Sequence, residues 1–216
     1  MLTVYGRASS SNVQAVMWGI AELGLECERL DYGLNFGGND TAQYLALNPF
    51  GLVPTLTDGD LVVWESCAIL RYLASKYGDG DAFWPSDPAA RARVDMWAEW
   101  GKVNFSRDFT VPIFWARVRT AAKDRDQAAL AVALDRFDGY LGHLEAQLGN
   151  DPYVTGADFT LADVVIGHVL FRYFDIDILR KARPIIEAYY QRLQARSAFR
   201  DRVMVSYEPL RAKGAN

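Results

Sequence analysis

The sequence predicts an α/β domain of order βαβ-ββα followed by an all-α domain, and three observations predict it. Short β-prone runs alternate with an amphipathic helix stopped by glycine over the first thirty positions. Two further apolar runs flank Asp58-Gly59, a strong signal for an antiparallel hairpin. Beyond residue 89 only helical periodicity remains. These patterns place the α/β domain at 1–79, a linker at 80–88 and the helical domain at 89–216.

The elements follow in order. Leu2 to Tyr5 is a short apolar strand, and Gly6-Arg7-Ala8 leads into Ser9, Ser10, Ser11 and Asn12. Val13, Val16, Met17 and Ile20 then repeat at helical spacing until Gly24 offers a left-handed stop. A second strand near residues 25–30 completes a βαβ unit, whose crossover implies parallel pairing. Residues 31–52 are loop with one helical turn at 42–47, a length that favours a functional segment. Val53-Pro54-Thr55-Leu56 and Leu61-Val62-Val63-Trp64 form the hairpin, and a cis Val53-Pro54 bond is one way to turn the chain at its start. A helix from Glu65-Ser66 carries Ile69, Leu70, Leu73 and Tyr77 on one side. Gly78 to Pro88 is rich in breakers. In the helical domain, Phe159-Thr160-Leu161-Ala162-Asp163 reads as a capping box, which makes Asp163 structural.

Composition narrows the function. The 216 residues are 50% apolar and 23% charged, with a net charge of −4. A chain of this length buries roughly 70% of its unfolded surface and needs no metal or disulfide to fold. Basic and acidic residues alternate, as in Lys123-Asp124-Arg125-Asp126, so no patch suits nucleic acid. No run approaches a membrane span, and Met1 to Gly6 lacks the features of a signal peptide. Cys27 and Cys67 have neither CxxC nor ligand spacing, which fits a reducing cytoplasm. His143 and His168 have no carboxylate or thiol at ligand spacing, so no metal is expected. GxSxG, a phosphate-loop lysine and GxGxxG are all missing from the sequence. An enzyme built from these residues works with hydroxyls, backbone groups and a thiol or cofactor brought from outside.

Four motifs in order and spacing carry a family likeness: Ser9-Ser10-Ser11-Asn12; Asn48-Pro49-Phe50-Gly51-Leu52-Val53-Pro54; Trp64-Glu65-Ser66 with Ala68-Ile69-Leu70 and Tyr72-Leu73; and Thr160 to Asp163. Over nearly its whole length the chain resembles the cytosolic glutathione transferases of the serine type, theta, delta and zeta. The resemblance implies a thioredoxin-like domain that binds glutathione, a helical domain that shapes the site of a small hydrophobic electrophile, and a homodimer. It places the catalytic serine at Ser10, with Ser9 and Ser11 as close competitors and Asn12 near the sulfur. Leu52, Val53 and Pro54 would meet the cysteinyl part of glutathione by strand-edge pairing, and Glu65 and Ser66 the γ-glutamyl end. Trp100, Phe105 and Trp115 are candidates for the electrophile site. The chain departs from delta-class patterns at Gly51 and Cys67, and from many bacterial members at Leu52, so contacts to the glycyl carboxylate are left open.

Physical chemistry suits these implied roles. The thiol of glutathione titrates near the cysteine reference of about 8.5, so little thiolate exists at neutral pH. A serine hydroxyl and free amides at a helix N-terminus stabilise the thiolate, at about 1.4 kcal/mol per unit of pKa. Conjugation to an electrophile is the expected reaction. Reduction of disulfides or peroxides at the same site, and a non-catalytic interaction module on the same fold, are the alternatives.

Overall fold

A computed structural model describes residues 1–78 and 82–215. Asp79, Gly80 and Asp81, where the sequence puts the first domain's end and the start of the linker, lie outside the described residues. The first domain is a four-stranded sheet of order β2-β1-β3-β4. Its strands are β1 (Leu2–Tyr5), β2 (Cys27–Leu30), β3 (Thr55–Asp58) and β4 (Leu61–Trp64). β1 runs parallel to β2 and antiparallel to β3, with Leu2 opposite Cys27 and Asp58. The hairpin closes as Asp58 opposite Leu61, through Gly59 in the left-handed region. This is the thioredoxin-like topology of βαβ followed by ββα.

Helix α1 (Ser11–Glu22) crosses from β1 to β2, α2 (Ala42–Leu47) interrupts the long loop, and α3 (Ser66–Tyr77) follows the hairpin. Every residue of α1 from Val13 to Ile20 is buried. One face, with Val13, Val16, Met17 and Ile20, packs with Leu2, Val4 and Leu56 of the sheet. The other, with Ala15 and Trp18, belongs to the core of the helical domain. α1 and α3 approach so closely that a Cβ at Gly19 would lie 2.2 Å from Leu70 Cδ2.

The helical domain begins with α4 (Pro88–Trp100), started by Pro88 and capped by Asp87, whose carboxylate accepts from Ala90 N–H at 2.8 Å. The same helical path continues through two π turns, Gly101–Ser106 and Thr110–Trp115, as far as Val118. The second contains Pro112, which has no amide to donate, and a wide turn absorbs that loss. Next come α5 (Gln127–Leu148), α6 (Leu161–Asp175), α7 (Pro184–Ala195) and α8 (Ser197–Arg202). The capping box at α6 is present. The Asp163 carboxylate, fully buried, accepts from Thr160 N–H and Oγ1, Val154 N–H and Tyr189 Oη at 2.8–3.1 Å. Burial pushes this carboxyl's pKa up, and the four donors oppose that shift.

Ion pairs join the two halves: Arg196 to Glu22 at 2.6 Å, and Arg71 of α3 to Asp95 and Glu99 of α4 at 2.8 and 2.6 Å. Among the described residues no helix is long and apolar enough to cross a membrane, and no group of His, Cys, Asp or Glu could hold a metal ion.

Candidate functional site

The site forms where the N-termini of α1 and α3 meet the first π turn of the helical domain. Gly6 ends β1 at φ 152°, and a Cβ there would sit 2.5 Å from Val13 Cγ2, so only glycine lets the chain turn this tightly onto α1. Ser10 is the N-cap of α1, its carbonyl accepting from Gln14 N–H at 2.9 Å. Its hydroxyl caps no amide, unlike Thr41 and Asp87, whose side chains cap α2 and α4. Ser9 and Ser11 flank it, both partly exposed. Asn12 lies in the first turn, and its Oδ1 accepts from Lys102 Nζ at 2.9 Å.

Lys102, in the first π turn, also donates to Ser66 Oγ at 3.0 Å. Its Nζ therefore holds Asn12 Oδ1 and Ser66 Oγ no more than about 6 Å apart. Two helix N-termini and one ammonium converge here, and both acceptors of the ammonium are neutral. That is the electrostatics of an anion site. Ser66 itself is 4% exposed, whereas Glu65, the N-cap of α3, is exposed and held at φ 71°. A left-handed backbone at a non-glycine residue with no cap bond to justify it is a feature that function accounts for better than stability.

On the other side of the loop, the Val53-Pro54 peptide is cis and precedes the first pair of β3, Tyr5 with Thr55. Side chains hold it in place: Tyr44 Oη and Asn48 Nδ2 both donate to Leu52 O, at 2.7 and 2.9 Å, and Asn39 Nδ2 donates to Gly51 O at 2.7 Å. Leu52 is exposed and Pro54 buried.

A cavity of about 400 Å³ opens beside Ser11 and Asn12, lined from the helical side by Lys102, Val103, Ser106, Arg107, Thr110 and Val111. Trp100, Phe105 and Trp115 are not in its lining. Phe105 is wholly enclosed, packed on Trp100 and Phe137, so its ring is core. Trp100 is partly buried against Trp97 and Tyr140. Trp115 is 40% exposed beneath Arg119.

Neither cysteine offers a reactive thiol. Burial pushes the Cys27 and Cys67 thiols up, and Cys67 is 7% exposed inside α3. His168 is buried with Nδ1 3.1 Å from Val164 O, and desolvation lowers its pKa to about 3. It is a neutral core histidine at physiological pH. His143 is exposed on α5.

Asn12 and Ser66 meet through Lys102, and Val53 lies against Gly6 ahead of the serine loop, while the three aromatics do not share the cavity beside Ser11 and Asn12. Sequence reasoning missed Lys102 and Arg172, the latter reaching the Ser9 carbonyl at 2.8 Å. Both lie in helices of ordinary pattern. A charge on an apolar helix face was their only signal.

Comparison with known proteins bears on the family and the fold. Residues 1–75 match the family model for the glutathione S-transferase N-terminal domain, and residues 127–192 that for the C-terminal domain. The chain is 37% identical to glutathione S-transferase GstB of Escherichia coli over 95% of this chain and 99% of that one. It is 34% identical to glutathione S-transferase 3 of Zea mays, covering 94% and 93% of the two chains. A crystal structure of the theta class glutathione S-transferase from Xanthomonas axonopodis pv. citri, with glutathione bound, superposes with a TM-score of 0.89. It is 41% identical and covers 95% of this chain and 98% of that one.

Proposed function

The chain belongs to the glutathione S-transferase family, and from that premise we propose that Ser10 activates the glutathione thiol here for attack on a small hydrophobic electrophile. The observation that carries the assignment is the idle hydroxyl: Ser10 sits at the N-cap of α1, nearly buried, and caps no amide. It is free to donate to a sulfur anion in the field of the helix N-terminus. Ser9 and Ser11 flank it, both partly exposed, and Ser11 lies within the helix.

The rest of the tripeptide follows from the same frame. Val53, beside the cis Pro54, presents unladdered backbone to the cysteinyl part, as an added strand would require. Leu52 shields it with an exposed side chain. Ser66 and its amide at the α3 N-terminus suit the γ-glutamyl carboxylate, and Glu65 suits the ammonium. Lys102, between Asn12 and Ser66, adds a cation for the anionic groups. No general base is needed, since the thiol proton leaves to solvent once the thiolate is stabilised. Bringing thiolate and electrophile together in the cavity beside Ser11 supplies the remaining rate through proximity. A cytoplasmic homodimer is the working form we propose, as the family implies.

Replacing Ser10 tests this. A hydrogen bond to a charged group contributes about 1.5–3 kcal/mol, so Ser10→Ala should raise the bound-thiol pKa by one to two units. Turnover with an activated aryl halide near neutral pH should fall roughly 10- to 100-fold with little change in KM for glutathione. Stability should hardly move, because no cap bond is lost. An unchanged pKa and turnover would dismiss Ser10 and direct the same test to Ser9 and Ser11.

A further inference from the structure

Behind the serine loop lies a charge that the proposed chemistry has not yet used. Arg172, on α6, is 3% exposed, yet among the described residues no carboxylate pairs with it. Its Nη2 donates to Ser9 O at 2.8 Å and to Gln14 Oε1 at 3.3 Å, its guanidinium lies 4.4 Å from the centroid of Phe114, and its Nε has no partner. Gln14 Nε2, buried in the same place, also lacks one. The charged and titratable groups facing it do not neutralise it. Arg7, from the loop after β1, is a second cation and itself has Arg119 nearby. Tyr207, from the C-terminal segment, is bonded to Asp175 and so keeps that carboxylate for itself. His168, one turn earlier on α6, is neutral. Desolvation lowers the Arg172 pKa only to about 10, so the guanidinium stays charged at neutral pH.

A buried cation with neutral acceptors only is expensive, and a fold under selection for stability alone would pair or replace it. Its contact explains the expense. The carbonyl it grips is that of Ser9, one peptide before the N-cap hydroxyl, and it reaches there from 163 residues away in sequence.

We propose that Arg172 is a positioning residue of the thiol site: from the helical domain it fixes the Ser9–Ser10 peptide and leaves its unneutralised charge to favour the glutathione thiolate. The inference rests on the transferase reading of the site above. The helical domain then contributes to thiol ionisation as well as to electrophile binding, and the helix N-terminus and Arg172 act together on one anion.

The test is the bound-thiol pKa, read from thiolate absorbance of the glutathione complex and from the pH profile of kcat/KM, in four proteins. The wild type must first show a bound thiol titrating below free glutathione; if it does not, the transferase reading fails and this inference with it. Arg172→Met should then raise the pKa by about one unit, with a roughly tenfold loss of kcat/KM at about pH 6.5 that shrinks above the shifted pKa. Arg172→Lys should restore most of the shift, because it keeps the charge. Gln14→Glu guards against a methionine variant that does not fold. It installs the missing counter-ion, removes an unpartnered donor, and should raise both the melting temperature and the thiol pKa. A merely structural role predicts lower stability in Arg172→Met and the same pKa in all four proteins, and that result would overturn the proposal while leaving the Ser10 assignment in place. With Arg172→Met unfolded, an unchanged pKa in Gln14→Glu overturns it equally.

Discussion

Lys102→Met removes a cation that bridges α1 and α3, and its effect can be worked from the geometry. In the free protein Nζ contacts two neutral acceptors, Asn12 Oδ1 and Ser66 Oγ, at 2.9 and 3.0 Å. Losing them costs some stability as well, because Ser66 is 4% exposed and its hydroxyl gives up a charged donor. With glutathione bound, an anion in the same place would lie about 5 Å or less from Nζ. The attraction there is about 3 kcal/mol at an effective dielectric of 20, and the partial exposure of Lys102 reduces it to about 2 kcal/mol. The variant should therefore bind glutathione roughly 30-fold more weakly, measured by isothermal titration. Wild-type binding should weaken with added salt more steeply than binding to the variant, since screening acts on the charge that the variant lacks. Equal affinity in the two proteins, with equal salt dependence, would refute the assignment of Lys102 to an anion.

Three further variants have expected outcomes. His168 is neutral in the fold to about pH 3 but titrates near 6.5 in the unfolded chain, so stability is fully present above 6.5 and declines as pH falls through that window. Up to about 1.4 kcal/mol per pH unit is at stake; His168→Leu should flatten the acid limb of the melting-temperature profile, and parallel limbs would exclude His168 as its cause. Phe105→Ala should lower stability by about 3–5 kcal/mol with KM values retained in the folded fraction, whereas Trp115→Ala should scarcely change stability. A changed KM for an electrophile in Trp115→Ala would bring that exposed ring into the second-substrate site; unchanged kinetics would leave it on the surface.

Local chemistry made much of this protein legible. The α1 start, the Asp58-Gly59 hairpin and the Thr160–Asp163 cap each depend on a few adjacent residues, and each forms as its sequence implies. The serine loop before α1 was legible for the same reason, a serine run immediately before an apolar periodicity. Lys102 and Arg172 were not, because they meet Asn12 and Ser9 only after 90 and 163 residues of intervening chain have folded. The π turns at 101–106 and 110–115 were also hidden: apolar spacing reports which face is buried, not whether the backbone bonds run to the fourth or fifth residue. Those turns decide which residues reach the cavity. They bring Lys102, Ser106 and Thr110 to it and send Phe105 into the core, an outcome that an aromatic pattern alone does not distinguish.

The most direct test of thiol activation is a titration of the wild-type protein with glutathione, following melting temperature and thiolate absorbance across pH. Saturable stabilisation, with a bound-thiol pKa well below that of free glutathione, is the predicted result, since a ligand that binds only the native state must raise its stability. Stabilisation without a lowered thiol pKa would contradict a thiolate-forming site, and the absence of both signals would return the chain to the non-catalytic interaction module.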